Sequence, residues 1–483
     1  MKKKLAGILL LLSLLCTAAC GKAPEKPADP NATTTVFETT VTGTAPTETT
    51  TTSIYDEIAD PSFEGQTFTI LCRTDMRDEI YSEGETGDVY GDAIFARNRA
   101  VEENLGIKLD HIHTAGNWSN RDNFMNRVSS TILSGDDDWQ LITGYMSYMP
   151  GMVTKGLFID INTLPSLSLD SPWWIQGYND NVTIHDKMYT AMGDLCSTGL
   201  KNAYCGYVNI DLLETYGHKV EELYDAVNNG TWTLDMVLEI AGQVSTDLNG
   251  DGKYDASDIH GIAMSDVTMG SLPTAFGINY TTKNAEGIPE ISIHTERFLT
   301  SYERIYEASH SNFWHPVYDV EKFVEDRTLF LFHTLETGGE MKDMVSDYAV
   351  LPMPKYDAEQ ENYRTATRAV ASILLVPNTV QNLDLCGAAM ESLNFESYMQ
   401  VTPAYYETVL QLKQVRDEGS QQMVRLVRET LYFDFGYVYS DNLGSISGIM
   451  RKALTNPNIT SQIKGNVYSW EKSLEILLKF FEK

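Results

Sequence analysis

Strand-like and helix-like segments alternate along the chain from residue 65 to residue 144. Residues 66–72, 107–113 and 139–144 have the short apolar or alternating pattern that is typical of β-strands. Residues 93–105 and 124–133 repeat apolar side chains at helical spacing, and glycines follow both segments. Strands and helices that alternate at this distance form βαβ units on a parallel sheet. The sequence therefore predicts an α/β fold.

The same kind of pattern continues through the rest of the chain. Further strands are predicted over 188–192, 203–208, 329–332, 348–351 and 372–377, and further helices from Thr231 or Thr233 to about 244, over 297–309 and over 319–326. The chain is mostly helical from about residue 384, and no internal repeat of fixed period is present.

The carboxyl ends of the predicted strands are the expected place for a ligand. In open parallel sheets, ligands bind in the crevice outside the carboxyl ends of the strands. Residues 73–74 follow the first strand and residues 145–148 follow the third. These two loops are therefore the first candidates for ligand contacts.

The first 19 residues have the features of an export signal. Three lysines precede an apolar run over 5–15, which is too short to span a bilayer, and small residues lead to Cys20. Residues 17–20 resemble the cleavage box of bacterial lipoproteins, so we expect Cys20 to become the lipidated first residue. Plain signal cleavage that leaves Cys20 as a free thiol is the alternative. No other run is apolar enough to predict a transmembrane helix.

Residues 20–61 are rich in Thr and Pro and contain few apolar side chains. Such a segment buries too little surface to offset the loss of chain entropy. We predict a disordered tether here, which places the protein on the outer face of the cytoplasmic membrane with membrane contact through the lipid anchor alone.

The charge of the chain excludes several classes of partner. It has 67 acidic residues against 36 Lys and Arg, which gives a formal net charge of −31. Nucleic-acid binding needs a basic surface, and anionic lipid headgroups attract basic segments. Neither is an expected partner, and the acidic balance favours partners that are neutral, cationic or small.

Residues 247–258 have the ligand spacing of a calcium-binding loop. Oxygen-bearing side chains stand at loop positions 1, 3, 5, 9 and 12, position 6 is glycine, and position 7 would contribute its backbone carbonyl. The predicted ligands are Asp247, Asn249, Asp251, Lys253, Asp255 and Asp258. We expect a structural Ca²⁺, and the alternative is a polar turn without metal.

Other residues carry weaker signals. Cys196 and Cys205 lie close enough in the sequence to form a disulfide, and the residues leave this open. His111 and His113 are predicted on one face of a strand, where exposed positions explain them better than a metal site. The chain contains no HExxH, GxSxG, Walker or GxGxxG motif, so no catalytic cofactor is predicted.

A series of loose motifs resembles the family 1 extracellular solute-binding proteins, the sugar-type substrate-binding lipoproteins of bacterial ABC importers. The matching segments, in order, are residues 101–109, 133–139 followed by Tyr145, 156–161, 230–235 followed by 247–258, 350–354 and 401–406. The resemblance spans about residues 65–440, and its specificity comes from the order of the motifs.

The resemblance implies a two-lobed periplasmic-binding-protein-like fold of type II. Each lobe would be a mostly parallel sheet flanked by helices, and hinge strands would join the two discontinuous lobes. The expected divisions are 1–19 signal, 20–61 tether, 62–195 lobe I, 196–349 lobe II with the loop 247–258, 350–395 lobe I again, and 396–483 lobe II again.

The resemblance also implies a non-catalytic receptor that acts as a monomer. It would close its lobes on a small solute, with a carbohydrate as the expected class, and deliver it to the permease subunits of an ABC importer. Carried over to this sequence, the cleft residues would be Thr74, Tyr145, Ser147, Asp194, His333, Glu336, Arg368, Tyr405 and Tyr437.

Two other functions remain open at this point. The first is an anchored secreted glycoside hydrolase, since a chain with 67 acidic residues offers many carboxylate pairs. The second is a surface protein that uses the calcium-like loop to bind a partner. The identity of the solute is not determined by these motifs.

Overall fold

The computed structural model describes residues 53–411 and 418–482. The predicted export signal, Cys20 and most of the predicted tether lie outside these residues. No helix in the described part of the chain is long and apolar enough to cross a membrane.

Eleven β-strands are present in the described residues. They are β1 (Thr67–Arg73), β2 (Lys108–Thr114), β3 (Leu141–Tyr145), β4 (Tyr204–Asn209), β5 (His260–Ala263), β6 (Thr281–Lys283), β7 (Pro289–Ile291), β8 (Trp314–His315), β9 (Thr328–Thr334), β10 (Tyr348–Pro352) and β11 (Ser372–Leu375).

Seventeen α-helices surround these strands in the described residues. They are α1 (Ile54–Ile58), α2 (Val89–Leu105), α3 (Arg121–Ser134), α4 (Gln176–Val182), α5 (Thr198–Lys201), α6 (Ile210–Thr215), α7 (Val220–Asn228), α8 (Leu234–Gly242), α9 (Asp266–Met269), α10 (Leu272–Ala275), α11 (Glu296–Ser309), α12 (Val320–Val324), α13 (Leu383–Glu396), α14 (Thr402–Gln411), α15 (Glu418–Glu429), α16 (Phe435–Val438) and α17 (Ile459–Phe481).

The first sheet has four strands in the order β11-β3-β1-β2. Strand β1 pairs in parallel with β2 and β3, as the βαβ pattern predicts, whereas β11 is antiparallel to β3. After its first residue β1 is buried throughout, and β2 alternates between exposed and half-buried residues because it lies at the edge. Helix α2 begins after the cap Asp88 and ends at Gly106, which adopts a left-handed φ of 68°.

The second sheet has five strands in the order β10-β4-β9-β5-β8. Strand β5 is parallel to β8 and β9, whereas β4 is antiparallel to β9 and β10. Strands β6 and β7 form a separate two-stranded hairpin. Helices cover both large sheets, so the α/β architecture is confirmed.

The chain crosses between the two large sheets in two neighbouring segments. One crossing leads through α5 into β4, and the other, over residues 353–371, leads from β10 to β11. Ala203 forms an antiparallel bridge with Thr367, and the Arg368 N–H donates to the Asn202 carbonyl at 2.9 Å. We call residues 365–371 the crossing segment. The two crossings therefore lie side by side and are hydrogen-bonded to each other, as hinge strands between two lobes are expected to be.

One predicted boundary needs a correction. Strand β10 lies entirely in the five-stranded sheet, where Pro352 still pairs with Cys205 of β4. The predicted return to the first lobe at residue 350 therefore falls inside a strand, and the return follows Pro352. The other lobe boundaries remain predictions.

The predicted tether is also too long at its carboxyl end. Helix α1 begins after Ser53, whose side chain caps it, and Ile58 is buried. The Tyr55 hydroxyl donates to the Glu396 carboxylate at 2.8 Å. Residues 53–61 are therefore attached to the folded body, because α1 gains a buried contact with the helix that contains Glu396.

Two further predictions have clear outcomes. Residues 188–192 do not form a strand, since Ala191 makes only an isolated bridge with Leu374. Cys196 and Cys205 are free and buried, so the disulfide that their spacing allowed is absent. Cys72 and Cys386 are likewise free and buried, as small apolar core residues are.

Candidate ligand-binding site

A cavity of about 290 Å³ lies between elements of the two large sheets. The parallel strands β2 and β3 bring their carboxyl ends to one edge of the first sheet, and this edge forms one wall through Trp118, Tyr145 and Ser147. The crossing segment forms a second wall. The opposite wall comes from the start of β4 and from the chain around α9 and α16. The lining residues are Trp118, Tyr145, Ser147, Tyr204, Val267, Gly270, Arg368, Ala369, Val370, Tyr437, Ser447, Gly448 and Arg451.

Four of the predicted cleft residues meet in this cavity: Tyr145, Ser147, Arg368 and Tyr437. The Ser147 N–H donates to the Ala369 carbonyl at 3.0 Å, which ties the loop after β3 to the crossing segment. The Tyr437 hydroxyl donates to the carbonyl of Thr367, one residue before Arg368, at 2.6 Å. Hydrogen bonds to the backbone therefore hold this group together from three distant parts of the chain.

Arg73 lies behind the cavity lining and contacts two of its walls. Its guanidinium lies over the Tyr145 ring with 4.4 Å between Cζ and the ring centroid, and Nη2 donates to the Val370 carbonyl at 2.8 Å. The side chain is fully buried at the end of β1. One residue therefore braces both the aromatic wall and the crossing segment.

Two predicted residues lie outside the cavity in a small buried space. Asp194 and Tyr405 line a gap of about 10 Å³ with Arg428. The Asp194 carboxylate accepts a 2.7 Å hydrogen bond from the Arg428 guanidinium, and Tyr405 packs edge-on against Tyr90. In this structure the Asp194 carboxylate pairs with arginine away from the cavity, and its expected contact with a ligand remains a prediction.

The remaining predicted residues are also absent from the cavity lining. Thr74 is exposed in the turn after β1. His333, at the end of β9, stacks on Tyr318 with 3.9 Å between ring centroids, and Glu336 is exposed just beyond it. These three residues remain predicted contacts on surfaces near the cavity.

Sequence reasoning missed Trp118 in the first wall and most of the opposite wall. Trp118 follows the end of β2, so the rule for strand ends would have found it. Tyr204 lies in a pair of tyrosines at a predicted strand, which is a weaker signal. Arg451 is far from the other cavity residues in the sequence, and no motif marks it. By contrast, Trp173 and Trp174 look like ligand platforms, but both indoles donate to Glu391 at 3.0 Å.

The tyrosines of the cavity are neutral hydrogen-bonding groups at physiological pH. Burial raises the pKa of Tyr204 to about 12 and raises the pKa values of Tyr145 and Tyr437. Burial, assisted by the charge of Arg368, lowers the pKa of the nearby His333 to about 4. His333 is therefore uncharged at neutral pH, and Arg368 is the dominant charge in this part of the cleft.

The cavity combines aromatic rings with polar side chains, and both of its charged side chains are positive. Trp118 and three tyrosines supply rings, Arg368 and Arg451 supply guanidinium donors, and two serines supply hydroxyls. Within the described chain, no Asp or Glu lines this cavity. Glycoside hydrolysis normally needs two carboxylates beside the scissile bond, so the lining is suited to binding and lacks that catalytic pair.

Several solved structures share this architecture. An ABC transporter solute-binding protein from Thermotoga lettingae, bound with α-D-tagatose, is 13% identical, with 85% of this chain and 100% of that chain covered and a TM-score of 0.53. The cyclic α-maltosyl-1,6-maltose binding protein from Arthrobacter globiformis is 15% identical, with 86% and 99% covered and a TM-score of 0.57. An ABC substrate-binding protein from Listeria monocytogenes, in complex with cycloalternan, is 11% identical, with 87% and 100% covered and a TM-score of 0.51.

The chain has the fold of ABC-transporter solute-binding proteins. The predicted type of fold is therefore confirmed. No protein-family model matches the sequence, and a search of curated proteins finds no relative. The structural likeness is thus the only link to known proteins in these comparisons, and at such low identity it establishes the fold alone.

The calcium-like loop, residues 247–258, consists of successive turns that side-chain carboxylates hold by hydrogen bonds. The Asp247 carboxylate accepts hydrogen bonds from the N–H groups of Gly250 and Gly252 at 2.7 and 2.8 Å, and both glycines have positive φ. The buried Asp258 accepts from Leu248 and Asp255. The described residues contain no group of three or more His, Cys, Asp or Glu side chains placed to hold a metal ion. A cation would have to compete with these hydrogen bonds.

The two strand histidines fit the simpler interpretation. His111 is half-buried and stacks on Tyr81 with 4.0 Å between centroids, whereas His113 is exposed. Among the described residues, no third side chain joins this pair to form a metal site.

Proposed function

We propose that this protein is a lipid-anchored extracellular receptor that binds a carbohydrate between its two sheets and delivers it to an ABC importer. The observation that carries the proposal is the cavity itself. It lies at the carboxyl edge of the first sheet, is lined from both sheets and the crossing segment, and combines aromatic rings with polar groups. Aromatic faces stack on the apolar faces of sugar rings while polar groups hold the hydroxyls.

The shared fold and the carbohydrate ligands of the three similar structures support the same proposal. The anchor is proposed from Cys20 and the Thr-rich segment after it, and delivery to permease subunits is proposed from the fold. The lack of a lining carboxylate favours a receptor over the glycoside hydrolase considered from the sequence.

Binding is tested with purified protein and a panel of mono- and oligosaccharides, by thermal shift and isothermal titration calorimetry. A sugar at 100 times its dissociation constant should stabilise the folded state by about 2.7 kcal/mol. Chromatography after incubation should recover the sugar unchanged. Absence of any binding sugar, or cleavage of the sugar, would contradict the proposal.

Trp118 offers a substitution with a large effect on binding and a small effect on folding. Its ring lines the cavity, but the residue is 46% exposed. We expect Trp118→Ala to weaken binding of a sugar found in the panel about tenfold, which corresponds to about 1.4 kcal/mol. Calorimetry measures the affinity, and thermal unfolding without ligand checks the fold.

Tyr468→Ala is the matched control for Trp118→Ala. Tyr468 lies on α17, is 76% exposed and does not line the cavity. The control should retain the affinity of the unmodified protein. Equal affinities for both variants would show that the sugar does not occupy this cavity.

We also propose that the loop 247–258 binds a structural Ca²⁺, on the strength of its ligand spacing and its two positive-φ glycines. Millimolar Ca²⁺ should raise the unfolding temperature by several degrees relative to EDTA, because an ion that binds only the folded state stabilises it. Asp251→Ala should abolish this shift. Asp138→Ala, in another acidic loop, should keep it, and an absent shift in the unmodified protein would show a turn without metal.

A further inference from the structure

The charge distribution inside the cavity differs from that of the whole protein. The chain carries 67 acidic residues against 36 basic ones, yet both charged residues that line the cavity are arginines. Asp266 pairs with one of them, Arg451, so the unpaired positive charge of the lining is that of Arg368. This charge favours an anionic group directly beside it.

Arg368 is the lining cation for which the described residues supply no partner. Among the described residues, no carboxylate lies within 4 Å of its guanidinium, and its side chain makes no hydrogen bond to them. The side chain is half-buried in the crossing segment, and none of its nitrogens is fully buried without a partner, so water reaches them. An anionic ligand would replace this water with charge-assisted hydrogen bonds.

The other arginines around the cavity are less available to a ligand. Arg451 pairs with Asp266 at 2.7 Å. Arg73 donates to the Val370 carbonyl, lies over Tyr145, and has Asp75 at 3.7 Å. Its Nε and Nη1 have no hydrogen-bond partner, but the side chain is fully buried and does not line the cavity. Of the two lining arginines, Arg368 is therefore the one that forms no ion pair with the described residues.

The Arg368 guanidinium can only donate hydrogen bonds to a ligand. The Tyr437 hydroxyl donates its proton to the Thr367 carbonyl, so toward a ligand its oxygen can only accept. A sugar hydroxyl can accept from Arg368, but the contact is uncharged on the sugar side. A carboxylate only accepts, and its two oxygens match the planar fork of one guanidinium.

We propose that the ligand of this cleft is an acidic carbohydrate, whose carboxylate pairs with Arg368 while its ring stacks on Trp118 or a cavity tyrosine. This inference rests on the proposed function, and it narrows the substrate class to sugars of the uronic acid type. The carboxylate is preferred over sulfate or phosphate because a single unpaired arginine faces the cavity.

The test compares matched sugars that differ in the acidic group. Calorimetry is run with galacturonic acid against galactose, glucuronic acid against glucose, digalacturonic acid against galactobiose, and galactose 6-sulfate as the alternative anion. We expect at least one uronic acid to bind about tenfold or more tightly than its neutral partner, and to weaken as NaCl rises from 20 to 300 mM.

Variants assign the preference to one side chain. Arg368→Gln should remove the advantage of the acidic sugar, and Arg368→Lys should retain part of it. Arg364→Gln is the control, since Arg364 lies in the same part of the chain but donates to Asn279 and stacks on Tyr432. It should leave the preference unchanged.

The outcomes separate this inference from the proposed function. Neutral sugars that bind as tightly as their acidic partners, or a preference that survives Arg368→Gln, would overturn the acidic ligand and leave the sugar receptor intact. Tighter binding of the sulfated sugar than of every uronic acid would overturn the carboxylate. If no sugar of either kind binds, both the inference and the proposed function are wrong.

Discussion

Replacing Arg428 with Met is expected to lower the free energy of unfolding by about 3–5 kcal/mol. Arg428 pairs with Asp194 at 2.7 Å, and the two side chains are only 14% and 7% exposed. The substitution keeps most of the aliphatic volume but leaves the Asp194 carboxylate buried without its counter-charge. Chemical denaturation at pH 7 measures the loss.

The loss should depend on pH in a defined direction. Burial raises the pKa of Asp194 to about 6 even though Arg428 opposes the shift, so without Arg428 the pKa should rise further. A folded-state pKa above the unfolded value means that the folded protein takes up a proton as the pH falls. The destabilisation by Arg428→Met should therefore be smaller at pH 5 than at pH 7.

Arg99→Met is the matched control for this experiment. Arg99 is 53% exposed on α2, where it pairs with Glu102 and Glu103. Exposed ion pairs contribute about 0–1 kcal/mol, so this variant should unfold at nearly the denaturant concentration of the unmodified protein. Equal losses of unfolding free energy for the two arginine variants would show that the Asp194–Arg428 pair stabilises the fold no more than an exposed ion pair does.

Replacing Asp434 with Ala is expected to cost about 3 kcal/mol or more. The fully buried carboxylate caps α16 by accepting from the N–H of Gly436 at 2.8 Å, and it accepts from the N–H and hydroxyl of Thr281 at 3.1 Å. It thus ties α16, which contains the cavity residue Tyr437, to the β6–β7 hairpin. Its removal leaves several buried donors without an acceptor, at about 1–3 kcal/mol for each.

Asp88→Ala provides the comparison for Asp434→Ala. Asp88 caps α2 in the same way, through the Gly91 N–H at 2.8 Å, but it is exposed. Loss of an exposed cap costs about 1 kcal/mol, because water replaces the lost acceptor. A cost for Asp434→Ala that does not exceed this value would contradict the role proposed for the buried carboxylate.

Asp434 also predicts a pH dependence. Burial raises its pKa from the ordinary 3.8 to about 6. The folded state therefore binds the carboxyl proton more tightly than the unfolded state does. The contribution of Asp434 to the free energy of unfolding should fall by about 3 kcal/mol as the pH rises from about 4 to above 6. Asp434→Asn should remove this component from the stability profile. Parallel profiles for the two proteins would rule it out.

The local elements of the fold were largely predictable, because short-range physics determines them. The alternation of apolar residues and the glycines at positions 106 and 135 predicted the first βαβ units and the helix ends that the structure has. The helix from 54 to 58 was missed although Ser53 and Asp56 form a capping box at its start. A helix of five residues is too short to be stable alone, and contacts with Glu396 and the core stabilise it.

The candidate site was predictable where it follows from strand ends. Tyr145 is the last residue of β3 and Ser147 lies just beyond it, so the parallel sheet sets their position relative to the cavity. Arg451 and Val267 reach the same cavity from elements far along the chain, and no local pattern marks them. Likewise, no local pattern marks the pairing of Asp194 with Arg428, which is 234 residues away.

Local spacing was therefore sufficient for the α/β class and the strand ends that form one wall. Long-range packing determined which polar residues are paired and which are left for a ligand. Asp194 and Arg368 were equivalent as cleft candidates from the sequence, yet one pairs with arginine and the other lines the cavity with no ion pair among the described residues. The physical reason is that the effect of a charge depends on the groups around it in space, and contacts between distant segments set those groups.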